Sequence, residues 1–207
     1  MEAVMEGAKG ADPNIGAAYE ITVFDKDGNV KQVIKEDAKC YVMNFLRMVR
    51  HWFINAYNYT YTATNFKNLS GTIVTSGGYN PGSSAIGCFL GNAAVGDLTR
   101  GIVVGTDSTP VTSDDYKIGT LINHGSGAGQ FLYDAVGIGP VVESGITMTL
   151  PISRIISNGT ANPITFSEIG LYGLRRITIM VLRDVISSVT IQPGESALIA
   201  YKIIING

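Results

Sequence analysis

The chain has 207 residues, 45% of them hydrophobic and only 15% charged, with 25 glycines and a net charge of −2 at pH 7. Ordinary globular domains carry roughly a quarter charged residues, so this composition indicates deep burial or a surface partly covered by neighbours. Near-neutrality gives no basic face for nucleic acid, and no run reaches the roughly 18 apolar residues of a membrane-spanning helix; neither nucleic acid nor a membrane is expected as a partner.

Residues 1–17 hold Gly7, Gly10, Pro13 and Gly16, with Glu2 and Glu6, and lack the apolar core of a secretory signal. They are expected to form a flexible leader, followed by one domain over 18–207. In "YEITVFDKDGNVKQVIKE", Asp27-Gly28 separates two strand-like runs. This predicts a hairpin, because Gly tolerates the positive φ that such a turn demands. The same stretch places Asp25, Asp27, Asn29 and Glu36 in a partial calcium-loop pattern, but Val30 stands where that loop needs Gly. In "EDAKCYVMNFLRMVRHWFINAY", Tyr41, Phe45, Met48, Trp52 and Val42, Leu46, Val49, Phe53 recur at helical spacing. A helix over about 37–56 is predicted, with Glu36 and Asp37 at its positive end and both of its sides covered. Cys40 and Cys88 can be two buried thiols or a disulfide, and spacing does not decide between them.

From Phe53 to Thr99 only Lys67 and Asp97 are charged. A solvent-facing segment of that length normally carries more charge, so part of it is either tucked under loops or meets another protein. Tyr57, Tyr59, Tyr61, Phe66 and Tyr79 are its interface candidates; the alternating tyrosines suit one strand face and equally a host-surface glycan. Beyond Arg100, short apolar runs alternate with Gly, Pro and Asn turns and show no αβ alternation. The expected fold is mainly β, an antiparallel, jelly-roll-like β-sandwich with one helix packed on it near the N-terminus. Pro193-Gly194-Glu195 is expected to close an edge hairpin.

Catalytic chemistry finds little footing. His51 and His124 lie outside any nucleophile motif, and two His with two Cys lack zinc spacing. "GSGAGQ" (125–130) lacks the Lys-Ser/Thr and following helix of a phosphate loop. Asp107, Asp114 and Asp115 are a candidate cation cluster, although "TSDD" also suits a helix start. Asn58, Asn68 and Asn158 head glycosylation sequons. In "ANPITFSEIGLYGLRR", Glu168 sits on an apolar strand run, two residues before Gly170. A carboxylate there needs a partner, and Arg154, Arg176 and Arg183 are the candidates for a structural ion pair. No catalytic residue, metal or cofactor is expected.

The ordered set "GNVKQVIKEDAKCYVMNFLRMV", "GIVVGTDSTPVTSDDYKIGTLI", "GAGQFLYDAV", "SRIISNGTANPITFSEIGLYG" and "LRDVISSVTIQPGESALIAYKI" resembles a loosely defined family of tailed-phage virion structural proteins. In that family an early helix precedes a "DDY" segment, and a β half ends in "GLYG" and "RDV…GE" elements. The resemblance spans most of residues 25–205. It implies a non-enzymatic virion protein that self-associates and docks on other virion proteins of a capsid or tail. A tail-fibre module binding a carbohydrate receptor, and a non-viral cell-surface filament protein, are the alternative readings. The two glycines after Glu168 are expected to let the strand bend.

Overall fold

The computed structural model describes residues 14–38, 41–55, 64–76, 91–174 and 177–206. Cys40, Cys88, Asn58, Tyr57, Tyr59, Tyr61, Tyr79 and Arg176 lie outside the described residues.

The elements run β1 (Asn14–Phe24), β2 (Val30–Asp37), α1 (Met43–Asn55), β3 (Thr64–Lys67), β4 (Ile73–Ser76), β5 (Gly101–Gly105), β6 (Leu132–Tyr133), β7 (Gly137–Ile138), β8 (Val142–Ser144), β9 (Thr147–Ser157), β10 (Ile164–Leu174), β11 (Thr178–Ile191) and β12 (Ser196–Asn206). The large antiparallel sheet has the order β2-β1-β12-β9-β6, with β7 and β8 also paired to β9. A three-stranded sheet, β11-β10-β5, packs against it, and β3 pairs with β4 apart from both. The fold is therefore a mainly β sandwich with one helix.

Period-two alternation builds the core. Ala17, Tyr19, Ile21 and Val23 of β1, Ala197, Ile199 and Tyr201 of β12, and Ile152 and Ile156 of β9 all turn inward. They meet Ile102, Val104, Phe166, Ile169, Leu171 and Val181 of the smaller sheet. That smaller sheet is covered on its other face too. There Val103, Tyr172 and Met180 pack with Val42 and with Ile118 from the loop after β5.

Several boundaries differ from the sequence expectation. Residues 14–17 belong to β1, paired from Asn14↔Asn206 onward, so the leader does not extend through them. β2 continues through Asp37, and the helix begins only at Met43. Glu36 consequently accepts a hydrogen bond from the Tyr19 hydroxyl (2.7 Å) instead of capping a helix. Phe66, an interface candidate, is fully buried in the chain's own core. Its strand holds α1 through Asn44, which donates to Lys67 O (2.7 Å) and accepts from Lys67 N–H (3.0 Å). Pro193-Gly194 does form a turn, but β11 and β12 leave it for different sheets, making a sandwich corner and not an edge hairpin.

The helix packs on β11 and β3. The Tyr41 hydroxyl donates to Gly16 O (2.7 Å), and the Tyr41 and Phe45 rings lie 4.0 Å apart. Phe45 and Met48 face the core, while Leu46 is 61% exposed, so the cover expected on both sides of the helix is incomplete. Phe45→Ala should destabilise the fold by about 3–5 kcal/mol in chemical denaturation; a loss below about 0.5 kcal/mol would place that ring outside the core.

Candidate functional site

The most concentrated buried charge in the described residues lies on the outer face of the small sheet. Alternation along β10 sends Ile169 and Leu171 into the sandwich and Glu168, Gly170 and Tyr172 to the other side. Arg183, on β11, lies directly across from Gly170. Its Nε donates to Glu168 Oε1 at 2.6 Å. Nη1 donates to Asp115 Oδ2 at 2.6 Å, and Nη2 to Asp107 Oδ2 (3.3 Å) and Thr109 O (3.2 Å). Glu168 is 0% and Arg183 3% exposed.

Asp107, Thr109 and Asp115 all belong to the 106–120 loop, which leaves the end of β5 and returns to it. Thr106 N–H donates to Thr120 O (3.0 Å) and Ile122 N–H to Val104 O (3.0 Å), closing its base. The loop is then fastened flat on the sheet. Gly119 N–H donates to both Glu168 oxygens (2.9 and 3.1 Å), and Ile118 N–H to the Tyr172 hydroxyl (2.8 Å). Two glycines permit this contact. A Cβ on Gly119 would overlap Asp107, and one on Gly105 would overlap Ile118 and the Glu168 carboxylate. Gly170 likewise makes room for Ile118, while β10 runs on through it to Leu174. The pairing of β10 with β11 shifts register between Leu171 and Tyr172, between the two glycines, and Gly170 also serves close approach.

The electrostatics follow from these contacts. Burial works against the Arg183 charge, but Asp115 and Glu168 outweigh it and hold the guanidinium above its ordinary value. Burial would raise the Asp115 carboxyl; the Thr112 amide, Arg183 and the Thr112 hydroxyl together bring it below its usual value. Asp107 is lowered chiefly by the Thr109 amide and hydroxyl, with Arg183 adding to them. Tyr172 is pushed up to about 12, mainly by burial.

Arg154 occupies a separate place. It points inward from β9, 1% exposed, and has backbone carbonyls as its hydrogen-bond acceptors. Nε donates to Asp134 O (2.7 Å), Nη1 to Ile102 O (2.9 Å), and Nη2 to Asp97 O (2.8 Å) and Ala94 O (3.2 Å), with the guanidinium 4.9 Å from the Tyr133 ring centroid. Because Ile102 lies on β5, this side chain ties the large sheet to the small one. Burial lowers its pKa, partly offset by the nearby Tyr133, Asp97 and Asp134.

The remaining candidates are placed as follows. Asp114 pairs with Lys67, whose ammonium also lies 4.7 Å from the Tyr116 ring centroid. No helix starts at "TSDD"; Thr112 donates through N–H and hydroxyl to Asp115. Asp25 accepts the Asp27 and Asn29 amides (2.9 and 2.8 Å), so this part of the calcium-like pattern shapes the hairpin turn. In "GSGAGQ", Gly127 N–H donates to Gln130 Oε1 (2.9 Å), a local contact where a phosphate loop would point an amide at its ligand. His124 accepts Tyr133 N–H through Nδ1 (3.1 Å). Asn158 heads a sequon but is 1% exposed. Its amide donates to Asn162 O and Ile191 O (2.8 Å each), and its oxygen accepts Thr160 N–H and hydroxyl, leaving it pinned at the sandwich corner. Among the described residues, no group of three or more His, Cys, Asp or Glu is placed to hold a metal ion, and no helix is long and apolar enough to cross a membrane.

Arg183 was one of three arginines suggested for Glu168. Sequence reasoning missed Gly119, Tyr172 and the joint action of Asp107 and Asp115. The signal that points to them is the three aspartates, Asp107, Asp114 and Asp115, in a loop otherwise rich in Thr and Ser. In comparisons with known proteins, no family model, curated protein or solved structure matches this chain.

Removing the Glu168 charge takes away the one fully buried carboxylate beside Arg183 and leaves the guanidinium with Asp115 (2.6 Å) and Asp107 (3.3 Å), both on the loop that Glu168 also helps to hold. Glu168→Gln should therefore cost about 3 kcal/mol, near the lower end for breaking a buried pair, read as a shifted denaturation midpoint. An unchanged midpoint would show that the pair contributes nothing. The acid response has a defined sign. Asp107 and Asp115 have depressed folded-state pKa values, so their stabilisation is present above the unfolded value of about 3.9 and is lost as pH falls through the folded values. Thermal stability should fall steeply below about pH 4, and an Asp115→Asn variant should show a shallower fall.

Proposed function

We propose that this chain is a virion structural subunit that assembles in multiple copies on a capsid or tail and has no enzymatic role. One observation carries the reading: a rigid sandwich of low charge content that leaves aliphatic side chains in water. Among the described residues, Ile15, Val30, Val33, Leu46, Ile73, Val95, Val141, Val142 and Ile146 are each at least 47% exposed. Such a surface is costly for a free monomer and natural for a subunit whose neighbours cover it.

The buried charges support the same reading. Glu168 is engaged by Arg183 and Gly119, and Arg154 by four carbonyls. These groups are committed to holding a loop and two sheets, which suits a rigid building block. The ordered resemblance to tailed-phage virion proteins supports the virion location, and a jelly-roll-like arrangement of the sandwich, suggested by the strand and turn pattern, is part of the same proposal.

The test is peptide mass spectrometry on density-gradient fractions of particles released from cells carrying the gene. Peptides of this chain should co-sediment with particles at a stoichiometry of many copies. Their absence from purified particles would overturn the virion reading.

A further inference from the structure

The margins of the two sheets are finished differently. Beside β11, Val42 N–H donates to Val181 O (3.2 Å), and beside β5, Ile122 N–H donates to Val104 O (3.0 Å), so both outer strands of the small sheet are met by further chain. One margin of the large sheet is broken into the short pieces β6, β7 and β8. The other margin is β2, an eight-residue strand in water, with every residue but Ile34 exposed. Its pairing with β1 is regular from Gln32 to Asp37 and shifts only toward Val30.

The direction of the free main-chain groups follows from one bond. Ala38 N–H donates to Ala17 O (2.8 Å), in the same register as the rest of the pair. Antiparallel strands alternate between residues that bond the neighbour and residues that do not. Gln32, Ile34 and Glu36 therefore direct their main-chain groups to β1, and Val33, Lys35 and Asp37 turn theirs outward. Such an edge is a template for another strand, and exposed lysine is the usual guard against it. Here both lysines are drawn back onto acids of their own chain: Lys35 Nζ lies 3.3 Å from Glu20 Oε1, and Lys31 Nζ 2.7 Å from Glu195 Oε1. Glu36 is likewise engaged by the Tyr19 hydroxyl. Asp37, exposed at the end of the strand, has no partner among the described residues.

We infer that the β2 edge is a self-association site whose occupant is the β2 edge of a second copy, running antiparallel to it. The inference rests on the assembly reading above and gives it a location. Register and charge together select this occupant. In a two-fold contact, each residue meets its counterpart reciprocally, and outward groups must meet outward groups. Centring the pair on Lys35 sets that lysine against itself. Centring it on Val33 sets Lys35 against Lys31 of the copy. Centring it on Ile34 sets Val33 opposite Lys35, Gln32 opposite Glu36 and Lys31 opposite Asp37, with Ile34 meeting its own copy at the axis. In this register no like charges stand opposite one another, and the unpartnered Asp37 gains a base. Opposite charges across a pair of strands stabilise it and like charges destabilise it. The outward N–H and C=O groups of Val33 bond those of Lys35 in the copy, and the reverse. Main-chain hydrogen bonds supply the affinity of a strand-addition contact, so a narrow edge suffices, and the large sheet becomes continuous across two copies.

Sedimentation velocity and residue-resolved amide exchange of the full chain, over a range of concentrations, test this. The unaltered chain should associate. The Val33 and Lys35 amides should slow as concentration rises, while those of Ile34 and Glu36, already bonded to β1, stay slow throughout. Val33→Pro removes an N–H that β1 does not use, and Asp37→Lys sets lysine opposite Lys31. Each should weaken association about 10-fold or more. Val95→Lys, at an exposed turn beside β6 on the far margin of the sheet, should leave it unchanged. If the chain associates while the Val33 and Lys35 amides exchange at the same rate at every concentration, this edge is wrong and the assembly reading stands. If the unaltered chain is monomeric throughout, the inference falls, and the particle mass spectrometry decides the virion reading separately. Should the two β2 variants fail to fold, exchange on the unaltered chain decides alone. Concentration-dependent slowing at Val33 and Lys35 supports the contact, and its absence overturns it.

Discussion

The ion pair between Glu168 and Arg183 is the constraint around which the outer half of the molecule is arranged. Both groups are withdrawn from water, and a buried charge is tolerable only when paired and hydrogen-bonded. The sequence meets that requirement by bringing a loop to the pair. Gly119 supplies its amide to the carboxylate, while Asp107, Asp115 and Thr109 O take the remaining guanidinium donors. Once the loop is there, Ile118 covers Gly170 and packs with Val103, Tyr172 and Met180, so a second, smaller core forms beneath it. An apolar substitute for the pair could match its contribution to stability. It would not fix the loop's register, because apolar contacts are non-directional whereas each of these hydrogen bonds has one geometry.

Arg154 solves a related problem with different chemistry. Where Arg183 meets carboxylates, Arg154 meets carbonyl dipoles from residues 94, 97, 102 and 134 and the face of Tyr133. The two arginines thereby join three layers: the large sheet to the small sheet, and the small sheet to its covering loop. Asn158 does the same at the corner, where β11 passes to β12 and the chain changes sheets.

Local chemistry was legible in the sequence, and long-range placement was not. Asp27-Gly28 marked the β1–β2 hairpin because a tight turn is decided by its own residues. The need of Glu168 for an arginine could be read from its apolar neighbours, and three candidates were as far as sequence could go. Residues 14–17 were misassigned because "NIGA" has little intrinsic strand character; pairing with β12, almost two hundred residues away, makes it a strand. Glu36 and Asp37 look like helix-start acids, but the pairing of β2 with β1 continues through them to Ala18↔Asp37, and the Tyr19 hydroxyl donates to Glu36. Phe66 stood in a charge-poor run and suggested an interface, yet it fills the chain's own core. Pro193-Gly194 marked a turn correctly, while the divergence of its strands into two sheets depends on contacts no turn residue encodes.

The buried pair fastens the 106–120 loop to the sheet. Amide hydrogen exchange at Gly119 and Ile118 measures this most directly, because their N–H groups donate to Glu168 and Tyr172. Both amides should exchange as slowly as those at the centre of β10, opening only with the whole domain. Exchange as fast as that of the exposed Ser126–Ala128 turn would show that the loop lifts freely, and would contradict the claim.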